Sequence, residues 1–412
     1  MRLHIGIDDT DSKNEMCTTY LAATLKEKLE FFSTVIEMRL VRLNPNIPWK
    51  TRGNGAVALI IDTDNYKRAR NVTKDLVKEM SCLDEDGTNP GMVFYSGEVD
   101  EDFTSFYFKA LRSIVTINDA VNLAEDKGCE YYTFNSGRGL IGALAAVGAD
   151  LSTSTYEYIA YRRPENWGTR RQIDKTSVFE MDRATLSCTF NNVDSETSQI
   201  LIAPHSKCPV LFGVRAVEKG VLDEVKIRVK VGEPIEREAF FKTNQGTDAH
   251  LMEKKISEVK PYDSAILEGC VTEPPRTLKG GHVIFSIEDG EHSIDCAAYE
   301  PTGNFRGIVK QLQCGDSVRV YGGVKNTKKL TVNLEKIEVK NLAEAFDFRN
   351  PRCPACNGGM ESSGKGQGYR CRKCRTTSKD KEVVKLKRHI KKGLYCVPPR
   401  AMRHLSKPIN LS

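Results

Sequence analysis

The chain has 412 residues, 40% of them apolar and 28% charged, with a formal net charge of +6. This length predicts two to four domains with enough chain for several cores. No run of about 18 apolar residues occurs and MRLHIGIDD lacks the apolar stretch of a secretory signal, so neither a membrane span nor a membrane partner is expected. The first predicted element is a short strand carrying Leu3, Ile5 and Ile7, which runs into three carboxylates, Asp8, Asp9 and Asp11. Thr18 and Thr19 follow, and Leu21, Leu25 and Leu29, four apart, predict a helix over Tyr20–Leu29. Clustered acids between a strand end and a helix start can hold Mg²⁺ through hard oxygen ligands, and the free helical N–H groups favour an anion. The same residues also suit an acidic turn with Thr18 or Thr19 as an ordinary N-cap.

Met38–Leu43 reads as a strand, and the prolines, glycines and asparagines of NPNIPWKTRGNG, Asn44–Gly55, predict an irregular loop. Lys50, Thr51, Arg52, Gly53 and Asn54 on that loop form a candidate phosphate cradle, a weak motif until it stands beside the acids. Ala56–Ile61 predicts a buried strand and Tyr66–Met80 a helix, giving an α+β or α/β rhythm. Asn118–Lys127 predicts a helix and Glu130–Phe134 a strand. In NSGRGLIGALAAVG, Asn135–Gly148, a glycine turn opens a packed helix over Leu140–Val147, with Arg138 at the turn as the functional candidate. No acid sits where a dinucleotide fingerprint would need one. Tyr156–Tyr161 alternates as a strand, and Pro164–Arg171 is a basic loop. His205–Lys207 is a polar turn whose His205 reads as structural. The alternation KIRVKV predicts a strand with one basic face over Lys226–Val231. Phe240–Leu251, dense in amides and hydroxyls with one acid and one His, reads as a recognition loop.

From Ala265 to Val339 five short strand-like runs separated by turns predict a small barrel of the OB type, a common oligonucleotide binder. Cys353-Pro-Ala-Cys356 and Cys371-Arg-Lys-Cys374 have the spacing of a tetrahedral, structural Zn²⁺ site. The other nine cysteines show no framework spacing, which fits reduced thiols in a cytoplasm. Residues 360–412 hold fifteen Lys and Arg against three Asp and Glu, so an acidic body carries a basic tail suited to a polyanion. Within it, Lys381–Lys392 predicts a basic helix and Tyr395–Met402 an anchored tail.

Six segments together resemble the archaeal tRNA 2-agmatinylcytidine synthetase family over the whole length. They are GIDDTDS (Gly6–Ser12), MCTTYLA (Met16–Ala22), RLNPNIPWKTRGNGAVA (Arg42–Ala58), GRGLIGALAAVGAD (Gly137–Asp150), CPVLFGVRA (Cys208–Ala216) and TNQGTDAHL (Thr243–Leu251). One departure is the HSK that precedes Cys208. The resemblance implies a multidomain α+β protein: a kinase-like α/β domain over residues 1–115, a ferredoxin-like domain over 116–255, an OB fold over 260–342, and a zinc ribbon with basic tail over 350–412. It implies use of ATP and Mg²⁺ to activate the wobble cytidine of the CAU-anticodon isoleucine tRNA, and displacement by agmatine so that AUA is read. Asp8, Asp9 and Asp11 would hold Mg²⁺, Thr18 stands at the family's phosphorylatable position, and Thr19 and the Lys50–Asn54 loop would meet ATP. Agmatine is a dication, so Asp150, Glu157 and Asp248 are candidates for its pocket. Arg138, Thr243, Asn244, Gln245 and His250 complete the substrate-side set, and an aromatic face is expected to hold the flipped base. Two other classes remain open. A non-catalytic tRNA-binding protein would show no ATP turnover. A small-molecule phosphotransferase would keep its activity without the OB and zinc modules.

Overall fold

The computed structural model describes residues 1–12, 15–51, 53–326 and 329–411. Its first elements are β1 (Arg2–Asp8), α1 (Thr18–Leu29), β2 (Thr34–Arg42), β3 (Gly55–Asp62), α2 (Tyr66–Met80), β4 (Gly91–Tyr95), α3 (Glu101–Arg112), α4 (Ile117–Asp126), β5 (Glu130–Thr133) and α5 (Gly139–Val147). Then come β6 (Thr155–Arg162), α6 (Lys175–Ala184), β7 (Thr189–Phe190), the small hairpin β8 (Val193–Asp194) and β9 (Gln199–Ile200), β10 (Val210–Ala216), α7 (Val221–Arg228) and β11 (Ile235–Thr243). One nine-stranded sheet runs through them in the order β5-β4-β1-β3-β2-β11-β6-β10-β7. All neighbours are antiparallel except β2 and β11, which meet in parallel over only two residue pairs. That short seam joins two halves.

Alternation along β1 and β3 gives the first half two layers. Leu3, Ile5, Ile7, Leu59 and Ile61 pack beneath α1 and α2, whereas Ala56 and Ala58 face α3, α4 and α5. The α4 and α5 helices share a core with α3 and so pack on the first half. The approach of α5 to β1 is very close. A Cβ on Gly6 would lie 2.1 Å from the Ala143 carbonyl oxygen, and one on Gly142 would lie 1.9 Å from Asp8 Oδ2. Glycine is required there because anything larger would push the acidic strand end off the helix. Gly142→Ala is expected to destabilise the protein by about 1–3 kcal/mol through overpacking. A thermal midpoint equal to the parent's would show that the Asp8 carboxylate can move aside.

The second half holds β6, β7, β10 and β11 with α6 and α7. Here the sequence reading needs a correction: Lys226–Val231 is not a strand. It is the end of α7 and its exit, with Leu222 and Val225 turned inward at helical spacing and Ile227 exposed. Phe240–Thr243 is likewise the end of β11 rather than loop.

The barrel comprises β12 (Met252–Glu253), β13 (Ser264–Thr277), β14 (Val283–Glu288), β15 (Ser293–Ala298), α8 (Phe305–Val309), β16 (Ser317–Asn326) and β17 (Leu330–Asn341). All five expected strands are present, and β13 pairs with both β14 and β16 to close it. Next, β18 (Ala345–Arg349) leads into the cysteine ribbon with β19 (Met360–Ser362), β20 (Tyr369–Cys371) and β21 (Thr377–Ser378). The chain returns along β22 (Glu382–Leu386), antiparallel to β18, and β23 (Gly393–Cys396) adds to the barrel on β17. The basic helix expected over Lys381–Lys392 is thus a strand and an irregular exit, because its backbone is taken up by the ladder with β18. No helix among the described residues is long and apolar enough to cross a membrane.

Candidate active site and the cysteine centre

At the end of β1 the backbone turns sharply, with Asp9 in the left-handed region (φ 60°), a conformation that non-glycine residues adopt at a cost. The Asp9 carboxylate accepts hydrogen bonds from Asn89 N and Asn89 Nδ2 at 3.2 and 3.4 Å. Burial pushes the Asp9 carboxyl up to about 6, against the Asn89 hydrogen bond, and the Asp11 charge adds to the rise. Burial, with the Asp9 charge adding to it, holds the Asp8 carboxyl well above the usual carboxylate range. Crowded carboxylates of this kind resist common ionisation unless a cation joins them, and oxygen donors in this number suit Mg²⁺.

Thr18 and Thr19 are the first residues of α1, and its N-cap is Cys17, which makes no side-chain cap hydrogen bond. The acidic-turn reading with a threonine cap therefore does not describe this junction. Both threonines are buried, and Thr18 Oγ1 accepts a hydrogen bond from Thr10 Oγ1 at 3.1 Å.

Two cavities meet at this strand end. The first, about 280 Å³, is lined by Asp8, Asp9, Lys50, Thr51, Gly53, Asn54 and Arg138 on its polar side and by Leu43, Ile47, Trp49, Ile114, Ile117 and Ile141 on its apolar side. Arg138 precedes α5 and lies over the Trp49 ring, 5.1 Å from its centroid. Asn54 Nδ2 donates to the Asn44 carbonyl at 3.0 Å and Lys50 Nζ to that of Pro45, which folds the loop back on itself. Arg52 lies outside the described residues. A cavity that is apolar at one end, with carboxylates, cations and a helix start at the other, suits a nucleotide with its phosphates.

The second cavity, about 450 Å³, is lined by Asp11, Cys17, Thr18, Thr19, Arg42, Glu157 and Arg215, with Gly53 and Gly55 shared between the two. Glu157 is buried, accepts from Gln245 Nε2 at 2.5 Å and faces Arg215 Nε at 3.4 Å. His205, read from the sequence as structural, is exposed and borders this cavity. The apolar wall here is aliphatic (Leu40, Ile159, Leu201, Ile202 and Met402), so no Phe, Tyr or Trp ring is among its described lining residues, and the aromatic rings there are those of His205 and His404.

Other predicted residues go elsewhere. Asp150 is exposed beside a separate cavity with Arg2, His4 and Arg39, and accepts from Ser152 N at 2.9 Å. Thr243, Asn244, Gln245 and His250 are fully or almost fully buried and line neither cavity above. Asn244 Oδ1 accepts from Arg42 N at 2.8 Å, while its Nδ2 donates to Arg42 O and Tyr107 Oη. Asp248 pairs with Lys336 and accepts from Lys407 N at 2.7 Å, and His250 Nε2 lies 3.1 Å from Glu335 Oε2 in the barrel. Burial opposes ionisation of Glu335, yet His250, Arg403 and Ser406 together hold its carboxyl down to about 2. The segment read as a recognition loop is therefore a clasp between the sheet, the barrel and the C-terminal tail. Its amides and charges were legible in the sequence; their partners, 85 to 203 residues away, were not.

The sequence reading missed the tail's part in the site. After β23 the chain crosses from the barrel to the sheet, where Arg400 grips the fully buried Asp194 with two hydrogen bonds of 2.8 and 2.9 Å. His404 O accepts from Gly246 N and Leu405 O from Asp248 N, both at 2.8 Å, and Leu405 is buried in the sheet's core. Arg400, Met402 and His404 consequently wall the second cavity. A Cβ on Gly53 would lie 3.6 Å from the His404 ring, which is exposed to the cavities. The Arg42 charge above all, with Arg215 and Lys50 adding to it, holds this imidazole well below its usual range.

The Sγ atoms of Cys353, Cys356, Cys371 and Cys374 all lie within 4.8 Å of one another, with pairs at 3.2 and 3.5 Å. Four thiolates at such separations match a tetrahedron with Zn–S bonds of about 2.3 Å, and the set leaves no open position for chemistry. The ribbon's buried cluster among the described residues is only Cys353, Met360, Tyr369 and Cys371, so a Zn²⁺ held by the four cysteines would supply the stability that so small a core lacks.

The fold and these sites define a multidomain α+β protein that joins a nucleotide-type acidic site to two nucleic-acid modules. Residues 4–70 match the family described as the TiaS TCKD domain, 137–250 the TiaS FLD domain, 350–390 the TiaS C-terminal zinc ribbon domain, and 266–340 the OB-fold nucleic acid binding domain. The isoleucine-tRNA 2-agmatinylcytidine synthetase TiaS of Archaeoglobus fulgidus is 44% identical, covering 99% of this chain and 97% of the relative. That of Pyrococcus horikoshii is 45% identical, covering 100% and 97%. A crystal structure of TiaS in complex with its isoleucine tRNA and ATP superposes with a TM-score of 0.93 at 43% identity, covering 99% of this chain and 97% of that one. A TiaS complex with the same tRNA, AMPCPP and agmatine gives 0.90 at 41% identity with the same coverage. The chain belongs to the TiaS family.

Proposed function

We propose that this chain is an ATP-dependent tRNA-modifying ligase that converts the wobble cytidine of the CAU-anticodon isoleucine tRNA to 2-agmatinylcytidine. The observation that carries this reading is the pair of cavities joined at one acidic strand end, in a chain alike over its full length to TiaS proteins solved with an isoleucine tRNA, ATP or AMPCPP, and agmatine. The first cavity takes ATP, its base against Ile47, Trp49, Ile114 and Ile117 and its phosphates toward Lys50, Thr51 and Arg138. Asp8, Asp9 and Asp11 would hold Mg²⁺, which spreads the charge of the transferring phosphoryl group. The second cavity takes the target nucleotide and agmatine. The carbon 2 carbonyl of cytosine is a poor electrophile, and phosphorylation of its oxygen makes that oxygen a leaving group. The primary amine of agmatine then forms the C–N bond at carbon 2 while the C–O bond breaks and phosphate departs with the former carbonyl oxygen; water cleaves the second phosphoanhydride bond, which releases the β-phosphate as a second phosphate and leaves ATP as AMP.

Attack requires a neutral amine, and one acid of this set, Asp9 or Asp11, would take its proton in place of binding the cation. Glu157 is the carboxylate we assign to the dicationic substrate; Asp150 and the clasp residues are left in structural roles. In this division of labour residues 137–250 form the ferredoxin-like unit, whose α5 packs on the kinase-like first half, and the barrel and ribbon hold tRNA, in a cytoplasmic enzyme. The test is incubation with ATP, agmatine and an unmodified transcript, followed by mass analysis of the nucleosides. Modified cytidine at the wobble position is expected; ATP consumption with an unmodified transcript would point to a phosphotransferase of another kind. With labelled ATP, any label on the protein is expected at Thr18 and absent from Thr18→Ala, since Thr18 borders the second cavity beside the acids. Label that persists in that variant would move the position, most simply to Thr19.

A further inference from the structure

Between the barrel and the cysteine centre, β18 and β22 form a two-stranded ribbon whose apolar side chains remain uncovered. Phe346 pairs across the ladder with Lys385, and Phe348 with Val383, so these four share one face. On it Phe346 is 45% exposed, Phe348 60% and Val383 55%, although large apolar groups in a folded monomer are normally turned inward. The opposite face includes Ala345, which is buried at the base of the ribbon. An outward aromatic pair therefore stands clear of the protein's own cores.

We propose that this face binds unpaired RNA bases by stacking, as a contact separate from the phosphate contacts of the ribbon's cations. Charge identifies the partner: residues 345–392 carry fourteen Lys and Arg against four Asp and Glu, and a strongly cationic module is complementary to a polyanion. Aromatic faces interleaved with cations are what single-stranded nucleic acid uses, since every base has a π-face. Spacing fits as well. Two residues along a strand span about 6.6 Å, and stacked bases lie about 3.4 Å apart, so the two rings leave room for one base between them. The ribbon also follows the barrel directly in the chain, β17 ending at Asn341 and β18 beginning at Ala345, and residues 266–340 of that barrel match the nucleic-acid-binding OB family. A second copy of the chain is disfavoured as occupant, because two such cationic modules would repel each other.

The inference deepens the proposed tRNA-modifying role but is tested apart from it. Full-length parent, Phe346→Ala/Phe348→Ala and Phe346→Tyr/Phe348→Tyr are titrated across a salt series with three RNAs: the CAU-anticodon transcript, a single-stranded uridine oligonucleotide, and a blunt duplex without unpaired bases. For the alanine pair we expect about a tenfold loss of affinity on the first two RNAs, an unchanged salt slope, and no change on the duplex. The tyrosine pair should retain parental affinity. Parental zinc stoichiometry and thermal midpoint check the fold, which exposed side chains do not hold. A loss shared equally by the duplex, a shallower salt slope, or a change in oligomeric state in place of a change in affinity would each overturn the proposal. Because the uridine oligonucleotide is not a substrate, failure of the modification assay would sink the ligase reading and leave the stacking result to stand or fall alone.

Discussion

Asp8→Asn and Asp11→Asn are each expected to lower ATP turnover by on the order of 10³-fold and to leave tRNA affinity nearly parental. The size follows from what these groups would do: they hold the cation that meets the charge developing on the transferring phosphoryl group, and electrostatic terms of that kind dominate transition-state stabilisation. The selectivity follows from position. Asp8 is pressed between β1 and Gly142 and borders the first cavity; Asp11 borders the second. Both stand at the end of β1 in the first sheet half, whereas tRNA holding is assigned to the barrel and the ribbon. An amide keeps the shape of the carboxylate, so the fold is expected to persist, and relief of the crowding of three acids can raise the thermal midpoint. Steady-state ATP consumption and tRNA titration on the same preparations provide the check. Near-parental turnover in both variants would remove the acids from the chemistry.

Removal of residues 403–412 is expected to abolish modification, whereas excision of the cysteine ribbon is expected only to weaken tRNA binding. The contrast arises because the tail returns to the sheet after the ribbon. Leu405 lies in the core of the first half, and loss of a buried leucine alone costs about 2–5 kcal/mol. The same deletion takes away His404, which walls the second cavity beside Gly53, and Arg403, whose guanidinium bonds Asn46 of the loop region and faces Glu335 at 3.4 Å. The cation loop then loses its backing, and ATP affinity should fall with activity. The ribbon, by contrast, is an excursion: Arg349 and Glu382 are ladder partners, so residues 350–381 can be cut out and the ends joined by a short turn. That variant should bind ATP as the parent does and show a weaker, less salt-dependent affinity for tRNA, because phosphate contacts go with it. Deletion of the whole stretch 350–412 would confound the two effects. To isolate the ring, His404→Ala should reduce turnover at parental tRNA affinity; full activity in that variant would limit the tail to a structural role.

Much of this protein is determined by its sequence alone, wherever a motif is local. The Leu3–Ile7 alternation running into Asp8, Asp9 and Asp11, the five barrel strands and the Cys-x-x-Cys pairs depend on neighbours a few residues apart, and each stands where its pattern placed it. Local pattern misleads where a short alternation can be helix or strand. KIRVKV reads as a strand in isolation, but Leu222 and Val225 upstream bury the helical face. Lys381–Lys392 has helix-forming residues, yet Ala345–Arg349 occupies its backbone hydrogen bonds. The remaining decisions were made by tertiary structure. TNQGTDAH looks like a recognition loop because its side chains are polar, but their partners, Arg42, Glu157, Glu335 and Lys407, come from four distant places and convert it into a buried clasp. The second cavity is assembled from α1, β2, β6, β10 and tail residues 399–404, an arrangement that depends on the short parallel seam between β2 and β11 and on the tail crossing back over it. Sequence spacing carries no record of such closures, since they are fixed by packing between elements hundreds of residues apart.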